Sequence, residues 1–216
     1  MSSFVDLNRH FLDYKDDKDP EEIAQETYVS YLFGKDTNTY WNDLFKSKIT
    51  ILLGEAGSGK TWELKEQANK QKHIEKYSFF IRLDKLVNNR LDDAIEATDE
   101  ELFEQWKASN HKGYFFLDSV DEAKLIKTEA LHDALQSFTK GIGISNIPRS
   151  KVIISSRVSE WRGASDKNEI CRTFQIPIES GDKNTDRSPK IVLLAPLDED
   201  QVKLLAEAND GSSGQP

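Results

Sequence analysis

Residues Ile49–Thr61 read ITILLGEAGSGKT, an apolar run followed by a glycine-rich turn that ends in a lysine and a threonine. The second part, Gly54–Thr61, fits the P-loop (Walker A) pattern G-x-x-x-x-G-K-[S/T] in full. Glycines let the backbone wrap closely around a phosphate, in conformations closed to other residues. Successive N–H groups and the start of the following helix then point at the anion. The stretch therefore predicts a buried strand, a phosphate-binding loop and a helix.

Two loop residues have distinct expected roles. Lys60 should reach the β- and γ-phosphates of a nucleotide, and Thr61 should ligate Mg²⁺ through its hydroxyl. Trp62 follows directly and is expected to report bound nucleotide optically. The predicted nucleotide-binding set is completed by the other residues of the loop: Gly54, Glu55, Ala56, Gly57, Ser58 and Gly59.

Four more short apolar runs follow along the chain: Ser78–Leu83, Tyr114–Leu117, Lys151–Ser155 and Ile191–Leu194. They are apolar on both faces, as buried parallel strands are. Helical segments lie between most of them, including one that begins near Thr128 and ends near Gly141. This alternation predicts a three-layer α/β/α P-loop NTPase with a five-stranded, mostly parallel sheet.

The chain divides into three predicted parts. Residues 1–47 form a short helical segment, in which Asp19 caps a helix that has Pro20 at its first position. Residues 48–210 form the nucleotide-binding core, and residues 211–216 form a flexible tail. Within the core, Val158–Lys190 is polar and is predicted as a long loop, with a short strand near Phe174–Ile176.

The bulk composition narrows the class of protein. The chain has 216 residues, 37% of them apolar, and a formal net charge of −9. The acidic balance argues against a broad nucleic-acid-binding surface. No run approaches the roughly 20 apolar residues of a membrane-spanning helix, and no secretory signal is recognisable. Since Cys171 is the only cysteine, we expect a cytoplasmic protein without disulfides.

Acidic and basic residues follow two of the predicted strands. Because ligand chemistry gathers at the carboxyl ends of parallel strands, Asp118 suits the Mg²⁺ role, and Asp121 or Glu122 suits water activation. Arg157 follows Ser155-Ser156 and suits γ-phosphate sensing. The acidic residues could instead stabilise the N-terminus of a helix by interacting with its dipole. The arginine could pair with a surface carboxylate. The choice between Asp121 and Glu122 stays open.

These motifs resemble the STAND class of P-loop ATPases, and within it the bacterial type of the NACHT group. That class has a P-loop, then an apolar strand ending in an Asp, a small residue, an apolar residue and two acids, as in Asp118–Glu122. The group then has a strand ending in Thr-Ser-Arg, which Ser155–Arg157 resembles. Leu194–Leu197 is similar to the exit from the nucleotide core of the class, so the resemblance covers about residues 49–209.

The resemblance implies an adenine-nucleotide switch. ADP holds the closed state, ATP exchange opens it, the opened protein forms homo-oligomers, and slow ATP hydrolysis resets it. Such proteins often act in signal transduction or antiviral defence. Two departures are small: Ser119 stands where glycine is common, and Ser155 where threonine is common. Family members continue into a lid and a sensor, so the chain is expected to be the core of a longer protein, with weak ATPase activity in isolation.

Three other functions compete with the switch. An AAA+ motor or loader shares these motifs, but usually places a catalytic Glu directly after the metal-binding Asp, where Ser119 stands. A small-molecule kinase would need a substrate clamp that the spacing of the acids does not suggest. A nucleotide-gated interaction module without significant turnover would bind nucleotide in the same way. The rate of ATP turnover distinguishes the nucleotide-gated interaction module from the motor.

Overall fold

The computed structural model describes residues 7–14, 19–34, 39–118, 120, 130–176 and 188–212, with backbone only for 208–212. The strands are β1 Phe11–Asp13, β2 Ile49–Gly54, β3 Ser78–Arg82, β4 Gly113–Asp118, β5 Ser150–Arg157 and β6 Lys190–Leu194. The α-helices are α1 Pro20–Leu32, α2 Trp41–Leu44, α3 Lys60–Glu75, α4 Leu83–Leu86, α5 Leu91–Ala94, α6 Glu100–Ala108, α7 Ala130–Ile142, α8 Ala164–Thr173 and α9 Glu199–Ser212.

All six strands form one sheet in the order β1-β6-β2-β5-β4-β3. The pairs from β6 to β3 are parallel, which confirms the predicted mostly parallel α/β sheet. The prediction of five strands is wrong, because β1 pairs antiparallel with β6 at the edge. The predicted helical segment 1–47 therefore also contributes a strand. With only three residues, β1 is too short to show a periodic pattern.

The core lies on both faces of the sheet. Alternate residues of β2 belong to different clusters, Ile51 to the larger one and Leu52 to the smaller one. The larger cluster includes α6, α7 and α8 residues, whereas the smaller one includes α2 and α3 residues. Helices thus cover both faces, in the three-layer arrangement that the doubly apolar strands predict.

Helix boundaries agree with the sequence in some places and differ in others. Asp19 caps α1, since its Oδ1 accepts hydrogen bonds from the backbone N–H of Glu21 and Glu22 at 3.0 and 3.3 Å. At the other end of the chain, Asp198 and Gln201 form a reciprocal capping box, with bonds of 3.1 and 2.8 Å. Helix α9 continues to Ser212, beyond the boundary predicted at residue 210; residues 213–216 lie outside the described residues.

The polar segment after β5 contains a helix where a loop was expected. Helix α8 ends at Thr173, and Phe174 is its C-cap, so the strand predicted near Phe174–Ile176 is wrong. The helix packs inward through Ile170 and Cys171, which are both buried. The Phe174 ring lies 5.9 Å from that of Phe138 in α7, and both side chains are fully buried. Part of the predicted loop, residues 177–187, lies outside the described residues.

Gly141 in α7 provides a test of how closely this helix packs against α5. A Cβ at this position would overlap the side chain of Leu91 in α5, with its Cδ2 only 2.7 Å away. We expect Gly141→Ala to lower the free energy of unfolding by about 1–3 kcal/mol, although alanine is the better helix former by about 1 kcal/mol or less. Urea denaturation measures this, with Lys140→Ala on the exposed side of α7 as the control. An unchanged or raised stability would contradict the packing.

Candidate nucleotide-binding site

The glycine-rich loop connects buried β2 to α3. Gly57 and Gly59 have φ angles of +73° and +87°, a region that side chains rarely adopt, so both positions need glycine. The carbonyl of Gly59 accepts the Glu63 N–H at 2.9 Å, which starts the helix. Lys60 folds back over the loop and donates hydrogen bonds to the carbonyls of Gly54 and Glu55 at 2.9 and 2.8 Å. The ammonium group therefore lies on the inner side of the loop.

A cavity of about 360 Å³ opens above the carboxyl ends of β2, β4 and β5. Strand β5 lies between the other two, with Arg157 opposite Gly54 and Ile154 opposite Leu117. This register brings the predicted residues of three separate chain segments to one place. The cavity is lined by Ala56, Gly57, Ser58, Gly59, Lys60, Thr61, Trp62, Lys65, Asp118, Ser155 and Arg157.

The predicted metal-binding carboxylate is fixed by a neighbouring strand. Asp118, only 2% exposed, accepts a hydrogen bond on Oδ1 from the hydroxyl of Ser155 at 2.5 Å. Ser155 is itself 1% exposed. Such a bond to a charged oxygen is strong and directional. The sequence identified Ser155 only as part of a strand-end pattern, and did not indicate this contact.

The remaining predicted residues differ in how they reach the cavity. Thr61 and Arg157 are exposed at its wall, and Trp62 is 50% exposed there. Lys65 of α3 also lines the cavity, with Nζ 3.8 Å from the Glu96 carboxylate. The proposed water-activating acids, Asp121 and Glu122, lie outside the described residues, as does Ser119.

The N-terminal segment also contacts the loop, which the sequence did not predict. The guanidinium of Arg9 donates to the carbonyls of Ser58 and Ala195 at 3.3 and 2.6 Å. Tyr28 of α1 donates its hydroxyl to the Leu194 carbonyl at 3.4 Å. Burial raises the pKa of Tyr28 to about 12, and the Glu55 carboxylate acts in the same direction. Tyr28 therefore stays protonated at neutral pH and remains a hydrogen-bond donor.

The metal-binding potential of the cavity comes from its oxygen atoms. Across the described ranges, no group of three or more His, Cys, Asp and Glu side chains is placed to hold a metal ion. Thr61 and Asp118 nevertheless share the cavity, and a hydroxyl with one carboxylate suits Mg²⁺, which keeps several waters and binds substrate phosphates. These two residues fit a cation that arrives with a nucleotide.

The chain is similar in structure to two ATPases. One is a Walker-type ATPase of Pyrococcus abyssi, with a TM-score of 0.37, 14% identity, and coverage of 79% of this chain and 55% of that chain. The other is EssC, ATPases 2 and 3, from Geobacillus thermodenitrificans, with a TM-score of 0.34, 15% identity, and coverage of 97% and 49%. The chain thus spans about half the length of each.

No family model matches the chain, and no curated protein sequence does. Nothing functional follows from structural similarities this low, so we base the function on the residues of the cavity. Among the described helices, none has the length and apolar character needed to cross a membrane.

The contact between Ser155 and Asp118 leads to a prediction for the metal-dependent step. We expect Ser155→Ala to weaken the dependence of nucleotide affinity on Mg²⁺ about three- to tenfold, because the carboxylate loses one of the bonds that orient it. Ser155→Thr keeps the hydroxyl and should behave like the wild type. Titrations of Mg²⁺ at fixed ADP measure the effect. Equal Mg²⁺ dependence in the alanine and threonine variants would contradict a positioning role.

Proposed function

We propose that this domain binds ATP or ADP with Mg²⁺ and hydrolyses ATP slowly, as the switch of a larger signalling or defence protein. One observation carries the nucleotide-binding part: a complete phosphate loop and a buried, oriented carboxylate, Asp118, line the same cavity. Their convergence at the carboxyl ends of parallel strands is typical of a nucleotide site.

The loop recognises phosphate through its backbone and one lysine. The N–H groups after Gly57 and the start of α3 present partial positive charge to an anion. Lys60 already lies over the loop, held by two carbonyls. On nucleotide binding it exchanges these neutral acceptors for phosphate oxygens, which are stronger partners because they carry charge. The lysine therefore needs little movement to bind.

Three groups in the cavity suit the later chemistry. Thr61 and Asp118 would hold Mg²⁺, which when bound neutralises charge on the phosphates. Arg157 lines the cavity beyond the loop and senses the γ-phosphate, where a forked guanidinium matches phosphate oxygens. Asp121 or Glu122 orients the attacking water; the choice between them stays open. Their position shortly after Asp118 supports this role.

The switch role and the adenine preference rest on the resemblance of the motifs to the STAND class. Under this proposal the domain works in the cytoplasm, without direct nucleic-acid binding, and the full-length protein forms homo-oligomers when ATP replaces ADP. A motor function would require rapid turnover, and a gated interaction module would require none. Steady-state phosphate release distinguishes these alternatives.

The first experiment is nucleotide binding. We would titrate the purified chain with ATP, ADP and GTP, with and without Mg²⁺, by calorimetry, and follow tryptophan fluorescence in parallel. Of the four tryptophans, Trp62 has a half-exposed indole at the cavity, so bound nucleotide should change the emission. We expect adenine nucleotides to bind more tightly than GTP. A folded chain that binds no nucleotide would refute the proposal, and equal binding of GTP would remove the adenine preference.

A further inference from the structure

A buried arginine lies directly behind the phosphate loop. Arg9 is 6% exposed, although it belongs to an N-terminal segment far from the loop in sequence. Its Nη1 donates to the Ser58 carbonyl at 3.3 Å, and its Nη2 donates to the Ala195 carbonyl at 2.6 Å. The same Nη1 would lie 3.9 Å from a Cβ placed on Gly59. The guanidinium is therefore in contact with the loop whose other side faces the cavity.

The charge of this guanidinium is incompletely neutralised. Within the described part of the chain, Arg9 forms no ion pair, and its buried Nε has no hydrogen-bond partner. Glu63 and Asp198 act on it through space, but the Glu63 carboxylate accepts a hydrogen bond from Trp41 Nε1 at 2.7 Å, and Asp198 Oδ1 accepts one from the Gln201 N–H at 2.8 Å. Burial lowers the pKa of Arg9 despite Glu63, while an arginine remains charged at neutral pH. The fold thus keeps a buried cation that lacks a bound anion.

Such a cation is costly for a fold. Removing a charge from water carries a penalty that only close, well-placed partners offset. Two carbonyl acceptors offset part of it, yet a neutral donor would satisfy them as well. The stability of the apo protein therefore does not explain why this position is charged. An anion that arrives with the ligand would explain it.

We propose that Arg9 is a further phosphate-attracting cation, which acts from behind the loop and adds to the charge of Lys60. Its hydrogen bond to Ser58 also orients the loop, so Arg9 is a positioning residue as well as a source of field. The inference rests on the proposed nucleotide binding and names a further determinant of it. It also ties β1 to the occupancy of the cavity, because only His10 separates Arg9 from that strand.

Arg9 could act only as a structural clamp, through its two hydrogen bonds, or through its positive charge, and the two roles predict different results. A clamp depends on the two hydrogen bonds, so every substitution that breaks them should loosen the apo protein and the site together. An electrostatic role depends on the positive charge. Removing the charge should then weaken phosphate binding and leave the apo protein at least as stable, because the desolvation cost disappears.

The test compares Arg9→Gln, which keeps a donor and loses the charge, with Arg9→Lys, which keeps the charge. ATP affinity is measured by calorimetry, and thermal unfolding is measured without nucleotide. We expect Arg9→Gln to bind ATP about tenfold more weakly, Arg9→Lys to stay within about threefold of the wild type, and neither melting temperature to fall. Lys46→Gln is the matched control, since it makes the same charge change at a side chain 75% exposed before β2.

Each other outcome has a defined meaning. If Arg9→Gln binds ATP as the wild type does, the inference is wrong while the proposed function stands. If both variants lose affinity equally and melt earlier, Arg9 is only a clamp. If Arg9→Gln does not fold, the charge is structural and the inference fails. A wild-type chain that binds no ATP would instead refute the proposed function itself.

Discussion

Lys60→Ala is expected to weaken ATP and ADP binding by about 100-fold or more. Lys60 supplies the ammonium group on the inner side of the loop, where it already bonds two carbonyls. A hydrogen bond to a charged group contributes about 1.5–3 kcal/mol, and every 1.4 kcal/mol is tenfold in affinity. Losing contacts to two phosphate groups therefore gives at least the stated effect. Calorimetric titration measures it directly.

The control for this variant is Lys46→Ala, which changes the net charge equally. Lys46 pairs with Asp43 at 2.7 Å near the start of β2, and its side chain is 75% exposed. This is the opposite end of the strand from the phosphate loop, so nucleotide affinity should not change. Thermal unfolding of Lys60→Ala checks that the fold survives. Wild-type nucleotide affinity in a folded Lys60→Ala chain would contradict the assignment of this loop as the phosphate-binding loop.

Much of the fold was readable because buried parallel strands are apolar on both faces. This pattern located β2 to β6 to within a few residues. It could not locate β1, whose three residues gain their stability from pairing with β6, distant in sequence. The polar composition after β5 similarly concealed α8, which depends on the packing of Ile170 and Phe174 rather than on a strong local pattern.

The site was predictable where chemistry follows strand ends. The phosphate loop, Asp118 and Arg157 were expected to meet because parallel strands share an edge, and all three line one cavity. Arg9 was not predictable, because a buried arginine has no local signal. Its bond to Ala195 spans 186 positions, and its bond to Ser58 spans 49. Contacts of that kind follow from the tertiary fold alone.

Asp118→Asn is expected to separate nucleotide binding from its dependence on Mg²⁺. The substitution preserves the shape of the side chain and the acceptor for the Ser155 hydroxyl, but removes the charge that a metal needs. We expect the gain in ATP affinity on adding Mg²⁺ to fall about tenfold, and hydrolysis to fall about 100-fold or more. ATP affinity in EDTA should stay within about threefold of the wild type. Calorimetry and phosphate release measure these quantities.

Burial makes the stability of this variant equally informative. Asp118 is 2% exposed, so its charged form loses most of its hydration in the apo protein. A neutral amide avoids that penalty, and we expect the melting temperature of Asp118→Asn to stay the same or rise without Mg²⁺. Asp92→Asn is the control, because this carboxylate is 54% exposed and pairs with Arg90 at 3.9 Å. A destabilised Asp118→Asn chain with unchanged Mg²⁺ dependence would mean that the carboxylate holds the strands together and binds no metal. A stable chain that loses its response to Mg²⁺ would mean that the carboxylate is kept for the ligand, at some expense to the apo fold.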